Sequence, residues 1–140
     1  MSNVTLTNKL EVLHAKLDIL VSSYVTKGEK LSALAEMKDF AAILMFEKNP
    51  KDVEIYAQGG ITLIKMMKNM NNVNLHTIAH LKDSIESKFF HTLLLLDKDA
   101  GAYIKMPQIY DKDIVFPSND LLTYYLGVKN ILSLIEPCIV

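Results

Sequence analysis

The feature that most constrains this chain is a seam of apolar residues near its start, spaced by alternating steps of four and three. Because an α-helix turns once every 3.6 residues, this spacing places every member of the seam on one face of a helix. Val12, Ile19 and Val21 lie beside the seam and widen the apolar face, which is typical of a bundle helix rather than a two-stranded zipper. We therefore predict a helix over residues 4–27, with Gly28 as the residue that ends it. The seam consists of Leu6, Leu10, Leu13, Leu17, Leu20 and Tyr24.

The next segment, residues 29–48, has the same helical period and contains a run that is apolar on all sides. That run extends from Phe40 to Phe46, so we expect it to lie at the centre of the fold. A buried strand would look the same over seven residues. The Ala, Met, Glu and Lys residues upstream of the run favour a helix.

A third helix is predicted to begin at Asn49-Pro50. Asn49 can cap the helix, Pro50 suits its first position, and Asp52 complements the helix dipole. Gly59-Gly60 then falls in the middle of this helix, where each glycine costs roughly 1 kcal/mol, so we expect another helix to cross closely there. The alternative is a β-hairpin that turns on the glycine pair, with strands at 53–58 and 61–66.

The asparagine-rich stretch Asn69–Asn74 interrupts the pattern, and residues 75–96 resume a helical period. Residues 97–118 do not have this period, but 103–106 and 114–116 are rich in β-prone residues and can pair as a small ribbon.

The final helix is predicted to start with Ser118 as its cap and to end at Pro137. It carries a second seam with steps of four and three, formed by Leu121, Tyr125, Val128, Leu132 and Ile135.

These segments predict an all-α fold, in which about five helices form a compact bundle with an irregular or β-ribbon insertion at 97–118. A chain of 140 residues without an internal repeat or linker is expected to form a single domain, 1–140. The alternative fold is α+β with a small antiparallel sheet, whose strands would lie at about 40–47, 53–58, 93–96, 102–106 and 113–116.

The charged residues argue against nucleic-acid binding. All 15 basic residues are lysine, the chain is arginine-free, it has no tryptophan, and its net charge is −1. Without arginine, the chain has no guanidinium group to form paired hydrogen bonds with guanine or phosphate. Without tryptophan, it lacks the best side chain for stacking on bases, and its net charge gives no positive field to attract a polyanion. We expect no nucleic-acid partner.

The location expected for the chain is the cytoplasm. No apolar run approaches the roughly 18 residues that span a bilayer, so no membrane span is predicted. The first residues do not resemble a secretory signal. A single cysteine, Cys138, fits a reducing compartment.

The histidines are the candidate metal ligands. His76 and His80 are four residues apart and leave one helix face, His91 projects within roughly 80° of that face, and His14 could add a ligand from another helix. This pattern lacks the glutamate of the zincins, and no cysteine lies nearby. We predict no metal and no cofactor.

Catalysis is uncertain from the sequence and is the less favoured interpretation. The serines lack a nucleophile elbow, Cys138 is close to the end of the chain, and the paired acids Asp97/Asp99 and Asp111/Asp113 fall in turns. No catalytic residue is predicted.

The function favoured by the sequence is a non-catalytic protein–protein interaction module, such as a regulator, adaptor, inhibitor or assembly subunit, that acts through apolar helix faces. Its partner would be another protein or a second copy in a homodimer, because apolar residues remain outside both seams. The alternatives are a helical sensor of a small molecule or metal that uses His76, His80 and His91, and an enzyme without a recognisable motif. The predicted interface residues are Val12, Ile19, Met66, Met67, Met70 and Leu134.

Overall fold

The computed structural model describes residues 2–96, 103–105, 115–117 and 120–139, and within them the side chains of 5–87, 120 and 122–139. These residues form an all-α fold, as the helical periods predict, with a short antiparallel ribbon. The elements are α1 (Ser2–Val21), α2 (Lys27–Met37), α3 (Phe40–Lys48), α4 (Pro50–Lys68), α5 (Leu75–Leu96), β1 (Tyr103–Lys105), β2 (Val115–Pro117), α6 (Leu121–Ile135) and a 3₁₀ turn (Glu136–Cys138).

The central element is α4, against which α1, α3 and α6 pack. A β-carbon placed on Gly60 would lie 2.7 Å from Ile131 Cγ1 and 3.0 Å from Leu17 Cδ1, so one point of α4 touches both α1 and α6. Both terminal helices therefore pack on α4, and they touch each other only to a small extent. On α6, Ile131 faces α4, whereas the seam residues Tyr125 and Leu132 lie beside Ile85 of α5.

The first helix ends six residues earlier than predicted. It stops at Val21, and Tyr24, the expected last member of the seam, is 98% exposed. The reason is that Thr26 begins the next helix: its hydroxyl accepts from the Glu29 N–H at 3.1 Å, while its own N–H donates to Glu29 Oε1 at 3.3 Å. Gly28 consequently lies in the first turn of α2 and does not end α1.

The segment predicted as one helix over 29–48 is two helices, α2 and α3. Lys38 adopts the left-handed conformation, with φ 61° and ψ 34°, and Asp39 caps α3. Within the run predicted to be central, Ala42 and Phe46 are buried, whereas Phe40 and Leu44 are exposed. The expectation for this run is therefore only half right.

The prediction for the start of α4 is confirmed, because the Asn49 side chain accepts from the Lys51 N–H at 3.2 Å and Pro50 is the first helical residue. The hairpin alternative is wrong, since both glycines lie inside α4. A β-carbon on Gly59 would overlap the carbonyl oxygen of Tyr124, so α4 and α6 cross with their backbones in contact. The glycine pair accordingly marks a close helix crossing.

The last elements complete the bundle. The prediction of α5 over 75–96 is confirmed, and Ile85 of α5 lies with Val128 and Leu132 of α6 around a cavity of about 20 Å³. Lys82 Nζ adds an ion pair to Glu136 Oε1 at 3.1 Å. The expected ribbon is also present, with Tyr103↔Pro117, Ile104↔Phe116 and Lys105↔Val115 as its paired residues.

The helix predicted to start at Ser118 begins at Leu121; Ser118 lies outside the described residues, and Asp120 forms no side-chain cap. The chain leaves the helix at the turn containing Pro137, after which Ile139 returns to the core. None of the helices in the described ranges is both long and apolar enough to cross a bilayer.

Candidate interaction surface

One exposed face of α3 carries two of the most exposed large apolar side chains in the described part of the chain. Phe40 is 70% exposed and Leu44 is 64% exposed. They are four residues apart on one helix, so their side chains lie on the same side, one turn from each other. Ala41 beside them is exposed as well. We refer to Phe40, Ala41 and Leu44 as the α3 face.

The fold buries only one side of α3, although its sequence is apolar on all sides. The helix has nine residues, and its first seven are all apolar. Ala42 and Phe46 occupy the side that packs into the core. A helix that is apolar all round and has one buried side must direct its other apolar side chains to the solvent.

The orientation of α3 depends on the buried carboxylate of Asp39, which is only 5% exposed. Its Oδ1 accepts from the Ala42 N–H at 3.2 Å, and its Oδ2 accepts a short hydrogen bond from the Tyr56 hydroxyl on α4. Both carboxylate oxygens therefore have partners, as a buried charge requires. This contact anchors the first turn of α3 to the central helix.

The Tyr56 side chain is fully buried at this contact. Burial raises the pKa of Tyr56 well above its usual value of 10.0, and the negative charge of Asp39 and the hydrogen bond to it raise the pKa further. The Asn130 side chain of α6 has the opposite effect and lowers the pKa of Tyr56. Asp39, Tyr56 and Asn130 thus form a polar network that joins α3, α4 and α6.

This network was not predicted from the sequence. Asp39 looks like one more acid on a solvated face, next to Lys38. The one available signal was weak: Asp immediately before an apolar run is a preferred N-cap, although the helical period continues across Asp39.

The predicted interface residues are not brought together into one surface. Val12 is 51% exposed, Met67 is buried in the core, and the remaining four, Ile19, Met66, Met70 and Leu134, are half-buried. Only Met67 and Met70 meet at a common feature, a cleft between α1 and the end of α4.

That cleft has a volume of about 300 Å³ and a mixed lining, in which apolar side chains alternate with polar and charged ones: Leu6, Leu10, Met67, Met70 and Val73 with Thr7, Glu11, Lys68, Asn71 and Asn72. At its edge the Lys68 ammonium is 3.0 Å from Glu11 Oε1 and donates to His14 Nδ1 at 2.9 Å. Because the lysine is already paired with an acid, the edge of the cleft offers little net charge to a ligand.

Of the histidines considered as metal ligands, only His76 and His80 lie next to each other in the described residues. The rings of His76 and His80 are exposed, and their centroids lie 4.6 Å apart in an edge-to-face arrangement. The side chain of His91 lies outside the described residues, and His14 is bonded to Lys68 instead. Within the described residues, no group of three or more His, Cys, Asp or Glu side chains is arranged to hold a metal ion.

The two tyrosines with shifted pKa values do not suggest acid–base catalysis. Burial raises the pKa of Tyr56, and burial together with the nearby Glu86 raises that of Tyr125. Both changes disfavour the phenolate, which is the form that would act as a base or nucleophile.

Comparison of the chain with models of protein families, with curated proteins and with solved structures finds no match in any of the three. A function for the chain is therefore inferred from its own sequence and structure.

Proposed function

We propose that this protein is a non-catalytic protein–protein interaction module that binds its partner through the α3 face. The observation that carries the proposal is the adjacent exposure of Phe40 and Leu44. Burying apolar surface yields about 25 cal/mol per Å², and aromatic side chains are common energetic anchors of interfaces. A partner that covers this face would therefore gain affinity from both side chains.

The surroundings of the α3 face have the organisation of an interface. Glu47 and Lys48 follow it at the end of the helix and are exposed, so the apolar centre is bordered by charged residues. An apolar centre with a polar rim is usual for interfaces between separately folded proteins. The partner is another protein or a second copy of the chain, and the role is regulation or assembly in the cytoplasm, without binding to nucleic acid.

The test compares Leu44→Glu with Leu75→Glu. Leu75 is the matched control, because it is 63% exposed, almost the same as Leu44, but lies at the start of α5. Both variants should keep the wild-type melting temperature within a few degrees, since neither side chain belongs to the core. We expect Leu44→Glu to abolish the capture of specific partners by the immobilised protein and any self-association seen by light scattering, while Leu75→Glu retains both.

The proposal is wrong if the two variants behave alike. Equal loss would mean that capture depends on general surface hydrophobicity, and equal retention would mean that binding, if any, uses another surface.

A second candidate function is the binding of a small amphipathic molecule in the cleft between α1 and the end of α4, whose lining is part apolar and part polar. Its volume of about 300 Å³ is at the lower end of the range for ligand pockets. Met70→Trp should fill the cleft, so a compound that shifts the NMR resonances of Met67 and Val73 in the wild type should fail to do so in this variant. Shifts that persist would place the compound elsewhere.

A further inference from the structure

The break between α2 and α3 is not demanded by the local sequence. Residues 29–48 contain neither glycine nor proline, and the residues at the break are Lys38 and Asp39. Lys38 has a positive φ of 61°, a conformation that is strained for residues other than glycine. On local preferences alone, a single helix through this segment is the expected structure.

The backbone hydrogen bonds at the break do not explain it either. The Lys38 N–H donates to Ala35 O at 3.0 Å, and the Asp39 N–H donates to Leu34 O at 3.2 Å, which together make a Schellman end to α2. These bonds compensate for the interruption. A continuous helix would satisfy the same backbone groups, and without the strain at Lys38.

What favours the break is the packing of α3 on α4. Phe46 and Ala42 enter the core, and the Asp39 carboxylate accepts from the Tyr56 hydroxyl. Tyr56 is a fixed point of attachment, because its carbonyl lies directly against Gly127 where α4 and α6 cross. A strained break is thus joined by a hydrogen bond to the close crossing of α4 and α6.

We infer that the hydrogen bond between Asp39 and Tyr56 is a latch that controls the α3 face. While the latch is closed, α3 lies on α4 and presents Phe40 and Leu44 outward. When it opens, α2 and α3 join into one helix, and the face leaves the position in which a partner would meet it. The conformational change is inferred from the strained break, the packing of α3 and the hydrogen bond; only its role as regulation rests on the proposed function.

The latch can be tested by measuring the distance between spin labels on the two helices. The labels replace exposed Ser32 and Lys48 with cysteine, in a Cys138→Ser background that removes the native thiol. The two positions are 16 residues apart, so a continuous helix would separate their backbones by about 24 Å. The packed pair of helices gives a shorter distance.

Tyr56→Phe removes the hydroxyl and keeps the ring. We expect it to increase the fraction of molecules with the long distance by about tenfold, the effect of removing one hydrogen bond to a buried carboxylate. Tyr24→Phe is the control, because the same change at a 98% exposed tyrosine should leave the distances unchanged. Adding Lys38→Gly to Tyr56→Phe should return the population to the short distance, since glycine relieves the strain at the break and weakens a continuous helix.

A folded Tyr56→Phe variant with only the short distance would overturn the latch. Should Tyr56→Phe fail to fold, the decisive pair is Lys38→Ala and Lys38→Gly in the wild-type background. Alanine should raise the long-distance fraction and glycine should lower it; equal distances in the two would also overturn the inference. These distances do not depend on any partner, so they separate a failure of the latch from a failure of the proposed function, which the Leu44→Glu comparison tests.

Discussion

At the scale of single residues, the tightest of the described glycine positions is Gly127, where α6 contacts α4. A β-carbon at Gly127 would overlap the carbonyl group of Tyr56, which belongs to the backbone of another helix and cannot turn aside. We predict that Gly127→Ala lowers the free energy of unfolding by roughly 3 kcal/mol, the upper part of the range for overpacking. Urea denaturation measures this loss.

The control for this prediction is Gly28→Ala. The nearest atom to a β-carbon at Gly28 is Thr26 Oγ1, 3.9 Å away, and the residue lies in the first turn of α2. This change should raise stability slightly, by up to about 1 kcal/mol, because alanine favours a helix. If both alanine variants gave the same free energy of unfolding, the backbone contact between α4 and α6 would be disproved.

Tyr56 makes the stability of the protein sensitive to alkaline pH. Burial, followed by the charge of Asp39, raises its folded-state pKa above the ordinary 10.0. Below pH 10 the Tyr56 hydroxyl keeps its proton in both the folded and the unfolded state, so the contribution of Tyr56 to the free energy of unfolding does not change with pH. Above pH 10 the unfolded state loses the proton first, and stability should fall by about 1.4 kcal/mol per pH unit for this group.

This effect is measured as the difference between wild type and Tyr56→Phe in urea denaturation from pH 9 to pH 11. The wild type should have the steeper decline above pH 10. The control is Tyr24→Phe, at an exposed tyrosine, which should keep the steep decline in stability of the wild type. If the plots of stability against pH for wild type and Tyr56→Phe were parallel, Tyr56 would ionise equally well in the folded and unfolded states.

At the scale of elements, the ends of the helices follow local chemistry where a cap is present. Asn49 accepts from the Lys51 N–H at the start of α4, at 3.2 Å. We predict that Asn49→Ala lowers the free energy of unfolding by about 1 kcal/mol, as is usual for the loss of an N-cap. Asn8→Ala, at an exposed site within α1, should not lower it, because alanine is the better helix former there. Thermal melts that rank the two variants in the opposite order would show that the cap contributes little.

At the scale of the whole molecule, the described histidines provide at most a pair of ligands on one helix face. Two ligands without a third hold a transition metal weakly, because a structural zinc site takes four. We predict that purified protein carries no stoichiometric metal in elemental analysis. One zinc per chain that is lost in a His76→Ala/His80→Ala double variant would contradict this prediction and would implicate residues such as His91 in the site.

The sequence alone predicted several features that depend on residues close along the chain, although it missed the cap at Thr26 that ends α1 early. It predicted the all-α class, the start of α4 at Asn49-Pro50 and the helical segment 75–96, because caps and apolar periods act between residues that are close along the chain. It also predicted the close crossing at Gly59-Gly60, since glycine in a helix interior is costly unless another backbone approaches.

Only the tertiary structure decided which apolar surfaces are buried. The terminal helices could have packed on each other or on a second chain, and the fold packs both on α4. Tyr125 and Leu132 of the α6 seam lie at the contact with α5 instead. Phe40 and Leu44 belong to the same apolar run as Ala42 and Phe46, and nothing local separates the exposed pair from the buried pair. The separation comes from the break at Lys38, where the packing of α3 and the contact of Asp39 with Tyr56 outweigh the local preference for one helix. These partners are distant along the chain, so a helical period cannot reveal them.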